Sequence, residues 1–568
     1  MTPDCPPSRR RGTASATRRG FLAAIGAVGA VGLVGAGRPA GTTAASTVHQ
    51  DGTATHASPF GDPDALEAFV DDRVRERLGS VTPGASVAVV RGDRPVLVKG
   101  YGSADVDTDA PVHADRTAFR VGSVGKLVTW TAVVQGVERG VLDLDADVTT
   151  YLTDSAVTVP GGYDDPVTLR HLGTHTAGFE STLDPDLATS RDAIAPLETV
   201  LARAEPTRVR PPGELVGYSN YGAALAGHVV AEVNGTTFEE YVQEAIFEPL
   251  GMPHSTFTPP GPGDQHGTLG RGHTRTGGEF EPTDEVFINM RPAGSMRATA
   301  SDMATFMRAH LGAGAVDGTQ ILASATAEAM HATQHVRHPA VTNWRYGFHE
   351  YGHPDGDLIG HSGATLDFTS HLVLSPDHDI GIFVNYNANG DERPAALVDE
   401  IVAEFDLQPP GETPIPTTEP GHRGRAETVA GEYSPSYLPD RGALHVADVL
   451  AHLTVEPANG GRLRTRTLGG DVRRWVETEP YVYEAVDGHD VLAFEVSDGE
   501  VAALNVNSEP TGVFEPVPAH RRRSVVGAIA GAPLAGFALS LTGRGASAAR
   551  RYWHRRRDAA DDGTEGAE

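Results

Sequence analysis

The segment Phe119-Arg120-Val121-Gly122-Ser123-Val124-Gly125-Lys126 decides how the rest of this 568-residue chain is read. It opens an apolar pattern of Leu127, Val128, Val133, Val134 and Val137 that stops at Gly140, which predicts a helix from Ser123 to Gly140. Ser123 and Lys126 are three residues apart and so share one helix face. A serine hydroxyl is a weak nucleophile without a base beside it. A lysine serves as that base once burial lowers its pKa far enough to make it neutral. The helix N-terminus adds backbone N–H groups where an oxyanion can form. The pattern stands out because only Lys99 and Lys126 of the 46 basic residues are lysines, and Val96 stands three positions before Lys99.

Two other short segments carry matching chemistry. Gly217-Tyr218-Ser219-Asn220-Tyr221-Gly222 opens a second predicted helix, Ser219 to Asn234, with Leu225, Val229 and Val233 on one face. Tyr218 can relay a proton, and Asn220 can hydrogen-bond a substrate amide. Ile359-Gly360-His361-Ser362-Gly363-Ala364-Thr365 precedes a strand-rich run. Gly363 there permits close approach to the backbone, and the Ala364 N–H can be a second oxyanion donor.

In this order, Ser123-x-x-Lys126, Tyr218-x-Asn220 and His361-x-Gly363 resemble the three motifs of the serine β-lactamase and penicillin-binding-protein superfamily, most closely its class C β-lactamase-like (peptidase S12-like) branch. Further segments extend the resemblance over about residues 57–408: Leu169 to Gly178 before the tyrosine motif, Pro249-Leu250-Gly251-Met252, and Pro292 to Met296 followed by Ser301-Asp302-Met303. The resemblance implies an α/β (α+β) fold, with an antiparallel sheet, a helical subdomain packed against it and the site between them. It implies that Ser123 forms an acyl-enzyme and that Lys126 and Tyr218 share the acid and base work. Asn220, His361, Gly363 and Ala364 would bind substrate or oxyanion, the oxyanion lying between the N–H groups of Ser123 and Ala364. One departure matters. β-Lactamases typically carry lysine where His361 stands, and a histidine of pKa about 6.5 is mostly neutral at pH 7. This favours a peptidase, amidase or esterase over a β-lactamase. Homologues often carry a β-barrel after this domain, as residues 421–515 would here.

The surrounding pattern agrees. A helix is expected over Pro63–Leu78, and strands over Ser86–Arg91, Pro95–Gly102, Ser370–Leu374 and Ile380–Tyr386. Strands at both ends of a helical middle predict an antiparallel sheet built from the two termini of one domain, residues 63–408. A Pro-rich linker follows at 409–420. Short runs at Ala443–Val449, Trp475–Tyr483 and Val491–Val496 then predict a small all-β sandwich or barrel over 421–515.

The ends read differently. Arg18-Arg19 before the apolar run Ala23–Gly37 resembles a twin-arginine export signal, so residues 1–45 are expected to be a signal and cleavage region, with a linker over 46–62. Near the other end, the apolar stretch 524–542 lies between arginine clusters inside 521–557, with an acidic tail at 558–568. Eighteen residues at helical rise span about 27 Å, enough for a bilayer core. More arginines follow the stretch than precede it, so a membrane anchor there would leave the body on the outer face.

Composition narrows the function. Cys5 is the only cysteine, which excludes a disulfide scaffold. Residues 41–520 hold 31 basic and 69 acidic residues and would repel nucleic acid. The pair His171 and His175 has helical spacing for a metal, but no acidic ligand stands nearby and the family segment accounts for both. No metal or cofactor is expected; the partner is a small-molecule, peptide or ester substrate. The alternative is a catalytically silent binding protein of the cell envelope. So acidic a surface repels itself at low ionic strength, whereas molar salt shortens the Debye length to about 3 Å. This predicts a halophile protein. Its unfolding midpoint is expected to rise from low to multimolar KCl; a flat or falling midpoint contradicts the halophile reading.

Overall fold

A computed structural model describes residues 63–524, apart from 181–186, 261–265, 354–355, 391, 409–413, 418, 439–448, 450, 469 and 471. The expected export signal, the 46–62 linker and the apolar stretch from residue 525 onward, with its acidic tail, lie outside the described residues. Among the described residues no helix is long and apolar enough to cross a membrane. The chain through Glu515 forms one compact unit, and Pro516 begins a second.

A seven-stranded antiparallel sheet organises the first part. Its strands are β1 (Gly84–Arg91), β2 (Arg94–Asp105), β3 (Ala110–Pro111), β4 (His349–Glu350), β5 (Ile359–Ala364), β6 (Thr369–Ser375) and β7 (Ile380–Tyr386). Their order across the sheet is β4-β5-β6-β7-β1-β2-β3. The join between the two ends of the chain is β1 against β7, in register from Ala85↔Tyr386 to Arg91↔Ile380. Successive β1 side chains point to opposite faces. Val87 and Val89 therefore join an outer core with Leu66, Val70 and Val74 of helix α1 (Pro63–Arg77). Ala88 and Val90 join the main core on the other face. Both faces are covered, which is why β1 reads as a nearly unbroken apolar run.

The main core lies between the sheet and a set of helices. Helix α2 (Gly125–Glu138) is buried on every side from Gly125 to Gly136, including Trp130, Thr129 and Thr131. It starts two residues later than the sequence pattern predicts, because Gly122–Val124 form a tight 3₁₀ turn that carries Ser123. Helix α3 (Asn220–Asn234) packs against it and has the ends its sequence prescribes. The Ser219 hydroxyl accepts the Gly222 N–H at 3.0 Å, and Gly235 closes the helix at φ +63°. The short helix α4 (Arg291–Gly294) completes this face.

Residues 431–516 form a closed eight-stranded antiparallel barrel around Leu463, Trp475, Tyr483, Leu492, Phe494 and Leu504. The expected run Trp475–Tyr483 is two strands, Arg473–Glu479 and Val482–Ala485. Tyr481, at φ +66°, turns the chain between them and breaks the run. The expected Val491–Val496 strand is present as Val491–Ser497. Most of Ala443–Val449 lies outside the described residues.

Candidate active site

Ser123 sits on a turn gripped from two sides. The Val121 N–H donates to Met296 O at 3.0 Å, and the Ser370 hydroxyl of β6 donates to Val121 O at 2.7 Å. Gly122 takes φ +52°, and a Cβ there would lie 2.7 Å from the Ala364 nitrogen. A Cβ on Gly363 would lie 2.1 Å from Val121 O and 3.1 Å from the Ser123 nitrogen. Both glycines are therefore needed for the serine turn and the end of β5 to touch. This contact sets the serine turn directly against the end of β5 that carries Ala364.

Lys126 has no exposed surface. Its Nζ lies 2.9 Å from Ser123 Oγ, 2.8 Å from Asn220 Oδ1 and 2.5 Å from the Ala293 carbonyl of α4. It also lies 4.9 Å from the centre of the Tyr218 ring. Burial alone holds its pKa well below the ordinary 10.5. In the neutral form of Lys126 the geometry assigns the protons. A neutral amine has two N–H bonds and one lone pair. Asn220 Oδ1 and Ala293 O only accept, so they take the two N–H bonds. The lone pair is left for the one neighbour that can donate, the Ser123 hydroxyl.

Tyr218 precedes Ser219, the N-cap of α3, and its ring lies over the Lys126 nitrogen. Burial pushes its phenol pKa well above 10, and the Ser123 hydroxyl opposes that only in part. Tyr218 is therefore a neutral phenol. Asn220 is exposed at the first position of α3, where its carboxamide borders solvent while Oδ1 holds Lys126.

His361 is only 3% exposed. Its Nδ1 lies 2.5 Å from the Ser362 carbonyl, so that nitrogen carries the proton, and among the described residues Nε2 has no partner. Burial holds its pKa well below 6.5. It is an uncharged ring, 6.0 Å from Tyr218 and 6.2 Å from Trp344, centre to centre. His175 packs closer, 4.4 Å from Tyr218, with its Nδ1 accepting the Ser219 N–H at 3.2 Å. The Thr168 N–H reaches His171 Nδ1 in a helix cap. The two candidate metal histidines thus have separate local duties, and among the described residues no group of ligands could hold a metal.

The structure brings Ser123, Lys126, Tyr218, Asn220, Gly363 and Ala364 together, with His361 behind Tyr218. Sequence reasoning missed the Ala293 carbonyl, which is a backbone atom with no residue signature. It also missed Trp344 and His349, aromatic neighbours drawn from segments without a motif, and read His175 only as part of a family segment and of a metal-spaced pair.

The sheet, the helices on its face and a site at the end of β5 define the class of protein, a β-lactamase/transpeptidase fold followed by a barrel. Residues 70–406 match the Beta-lactamase family, and the chain belongs to it. Penicillin-binding protein 4 of Amycolatopsis lactamdurans is 30% identical over 305 residues, 52% of this chain and 78% of that protein. Protein flp of Staphylococcus aureus (strain N315) is 25% identical over 321 residues, 55% of this chain and 61% of that protein. Among solved structures, SurE shares 24% identity at a TM-score of 0.56, covering 80% of this chain and 99% of that one. The octameric penicillin-binding protein homologue from Pyrococcus abyssi shares 20% at 0.51, covering 79% and 99%. These structural likenesses show the fold, and they extend beyond the family match.

Replacing Gly363 with alanine is expected to push β5 off the serine turn and separate the two backbone donors. The labelling rate of Ser123 by a fluorophosphonate should fall about 100-fold, the usual effect of losing one oxyanion donor. A wild-type rate in a folded Gly363→Ala variant contradicts this geometry.

Proposed function

We propose that the chain is a serine hydrolase that cleaves an ester or amide through an acyl-enzyme on Ser123. The observation that carries this reading is the Lys126 nitrogen, fully buried between two carbonyl acceptors and the Ser123 hydroxyl. As Ser123 Oγ bonds to the substrate carbonyl carbon, its proton passes to the lone pair of Lys126. The N–H groups of Ser123 and Ala364 receive the oxyanion. Tyr218 gives its proton to the departing oxygen or nitrogen, and the proton held by Lys126 replaces it. Water then attacks the acyl group, and the same groups act in reverse order to free Ser123. Neutral Lys126 as base and neutral Tyr218 as acid follow from opposite effects of one burial. Burial lowers the pKa of a cationic acid and raises that of a neutral one.

The neutral, buried His361 supports an ester or amide over a β-lactam, because it provides no cation for a substrate carboxylate. The proposal extends to the cell exterior through the twin-arginine-type signal, with attachment by the C-terminal apolar stretch.

Ser123→Ala should lose both fluorophosphonate labelling and turnover. Wild-type turnover of a p-nitrophenyl ester should exceed that of nitrocefin by about 10- to 100-fold, the worth of one missing charge-assisted hydrogen bond. The labelling rate should rise with pH through an apparent pKa below 10.5, since protonated Lys126 cannot accept the serine proton. Failure of every ester and amide, with Ser123 unlabelled, overturns the proposal in favour of a silent binding protein.

A further inference from the structure

Tyr218 lies between the start of α3 on one side and a loop of the barrel on the other. Gly217 pairs with Gly512 in an isolated antiparallel bridge, and the Tyr218 N–H donates to Thr511 O at 2.9 Å. The Ser436 hydroxyl, also from the barrel, donates to Val216 O at 2.5 Å. Below the ring, Val216 and Trp344 share one apolar cluster with barrel residues Ala503 and Val513, and Tyr218 packs against it.

The loop has little freedom of its own. The Trp344 indole donates to Pro510 O at 2.7 Å, and the buried Arg337 donates to Glu509 O at 3.0 Å. The Thr511 hydroxyl donates to the buried Glu509 carboxyl. Gly512 is filled over by Tyr437: a Cβ there would lie 2.6 Å from Tyr437 Cδ1. A side chain at 512 must displace the loop or the Tyr437 ring packed on it, and the loop's carbonyl holds the Tyr218 backbone. Displacement of a reacting group by about 1 Å can cost about 100-fold in rate.

We infer that Thr511 and Gly512 are positioning residues for proton delivery, so that the barrel sets which leaving groups the site can expel. The inference rests on Tyr218 being the proton donor to the leaving group. Without that proton an alkoxide or amide anion leaves poorly, whereas p-nitrophenolate leaves unaided. A shifted Tyr218 therefore narrows the enzyme toward activated esters while Ser123 and Lys126 stay in place.

The test uses the full chain and two esters of one acyl group, p-nitrophenyl and ethyl. In Gly512→Ala, kcat/KM for the ethyl ester, which reports acylation, should fall about 10-fold or more, while kcat/KM for the p-nitrophenyl ester stays near wild type; the deacylation step common to both esters does not enter this ratio. Thr511→Val should shift the ratio the same way, and Thr511→Ser should restore it. Tyr218→Phe should change the ratio of the two kcat/KM values in the same direction and by more. A folded Gly512→Ala or Thr511→Val variant with the wild-type ratio, or with both esters slowed equally, overturns the inference. Should Gly512→Ala not fold, the Thr511 pair decides. If Tyr218→Phe leaves the ratio unchanged, the acid assignment itself is wrong and the inference falls with it. If wild type cleaves neither ester, the hydrolase reading fails first, so the two failures are distinguishable.

Discussion

A lysine with no exposed surface, whose hydrogen bonds go to an amide, a backbone carbonyl and a serine hydroxyl, is the constraint around which this site is arranged. Among the described residues no carboxylate bonds its nitrogen. Water would stabilise an ammonium; here burial withdraws that stabilisation and pulls the pKa well below 10.5. The other lysine shows the contrast. Lys99 donates to Glu67 and Asp71 at 2.7 Å each, and those partners raise its pKa. One lysine is held charged by its carboxylate partners, and the other is drawn toward its neutral form by burial in the core.

The architecture keeps that nitrogen dry and correctly faced. Helix α2 carries Lys126 through the middle of the main core, α3 brings Asn220, and α4 turns the Ala293 carbonyl inward. The sheet supplies the other half: Gly363 and Ala364, at the end of β5, lie against the serine turn because Gly122 and Gly363 have no side chains. The site thus draws on four separated segments, three of them through backbone atoms. The barrel adds a fifth through Thr511, under Tyr218.

Much of this was legible in the chain. The strand pairs Gly84–Asp105 and Thr369–Tyr386 show as apolar runs with turn residues between them. Helix α3 announces itself by Ser219 and Gly235. Ser123 and Lys126 stand out because lysine is so rare. What escaped sequence reasoning has a common physical cause. The Ala293 and Thr511 carbonyls act through the backbone, which any residue supplies. Trp344 and His349 reach the site only after folding, and the packing of His175 on Tyr218 is equally a product of the fold. The 3₁₀ turn at Ser123 and the break at Tyr481 depend on local dihedral choices that hydrophobic periodicity does not report.

Lysine scarcity also makes the decisive measurement simple. With ¹³Cε-labelled lysine the protein has two resonances, assigned by a Lys99→Arg variant. On titration, the Lys126 signal should lie at the neutral-amine position at pH values where Lys99 is still fully charged, and should move only at pH values well below 10.5. Two resonances that both titrate at or above 10.5 would show Lys126 to be an ordinary ammonium, and the assignment of base and acid in this site would be wrong.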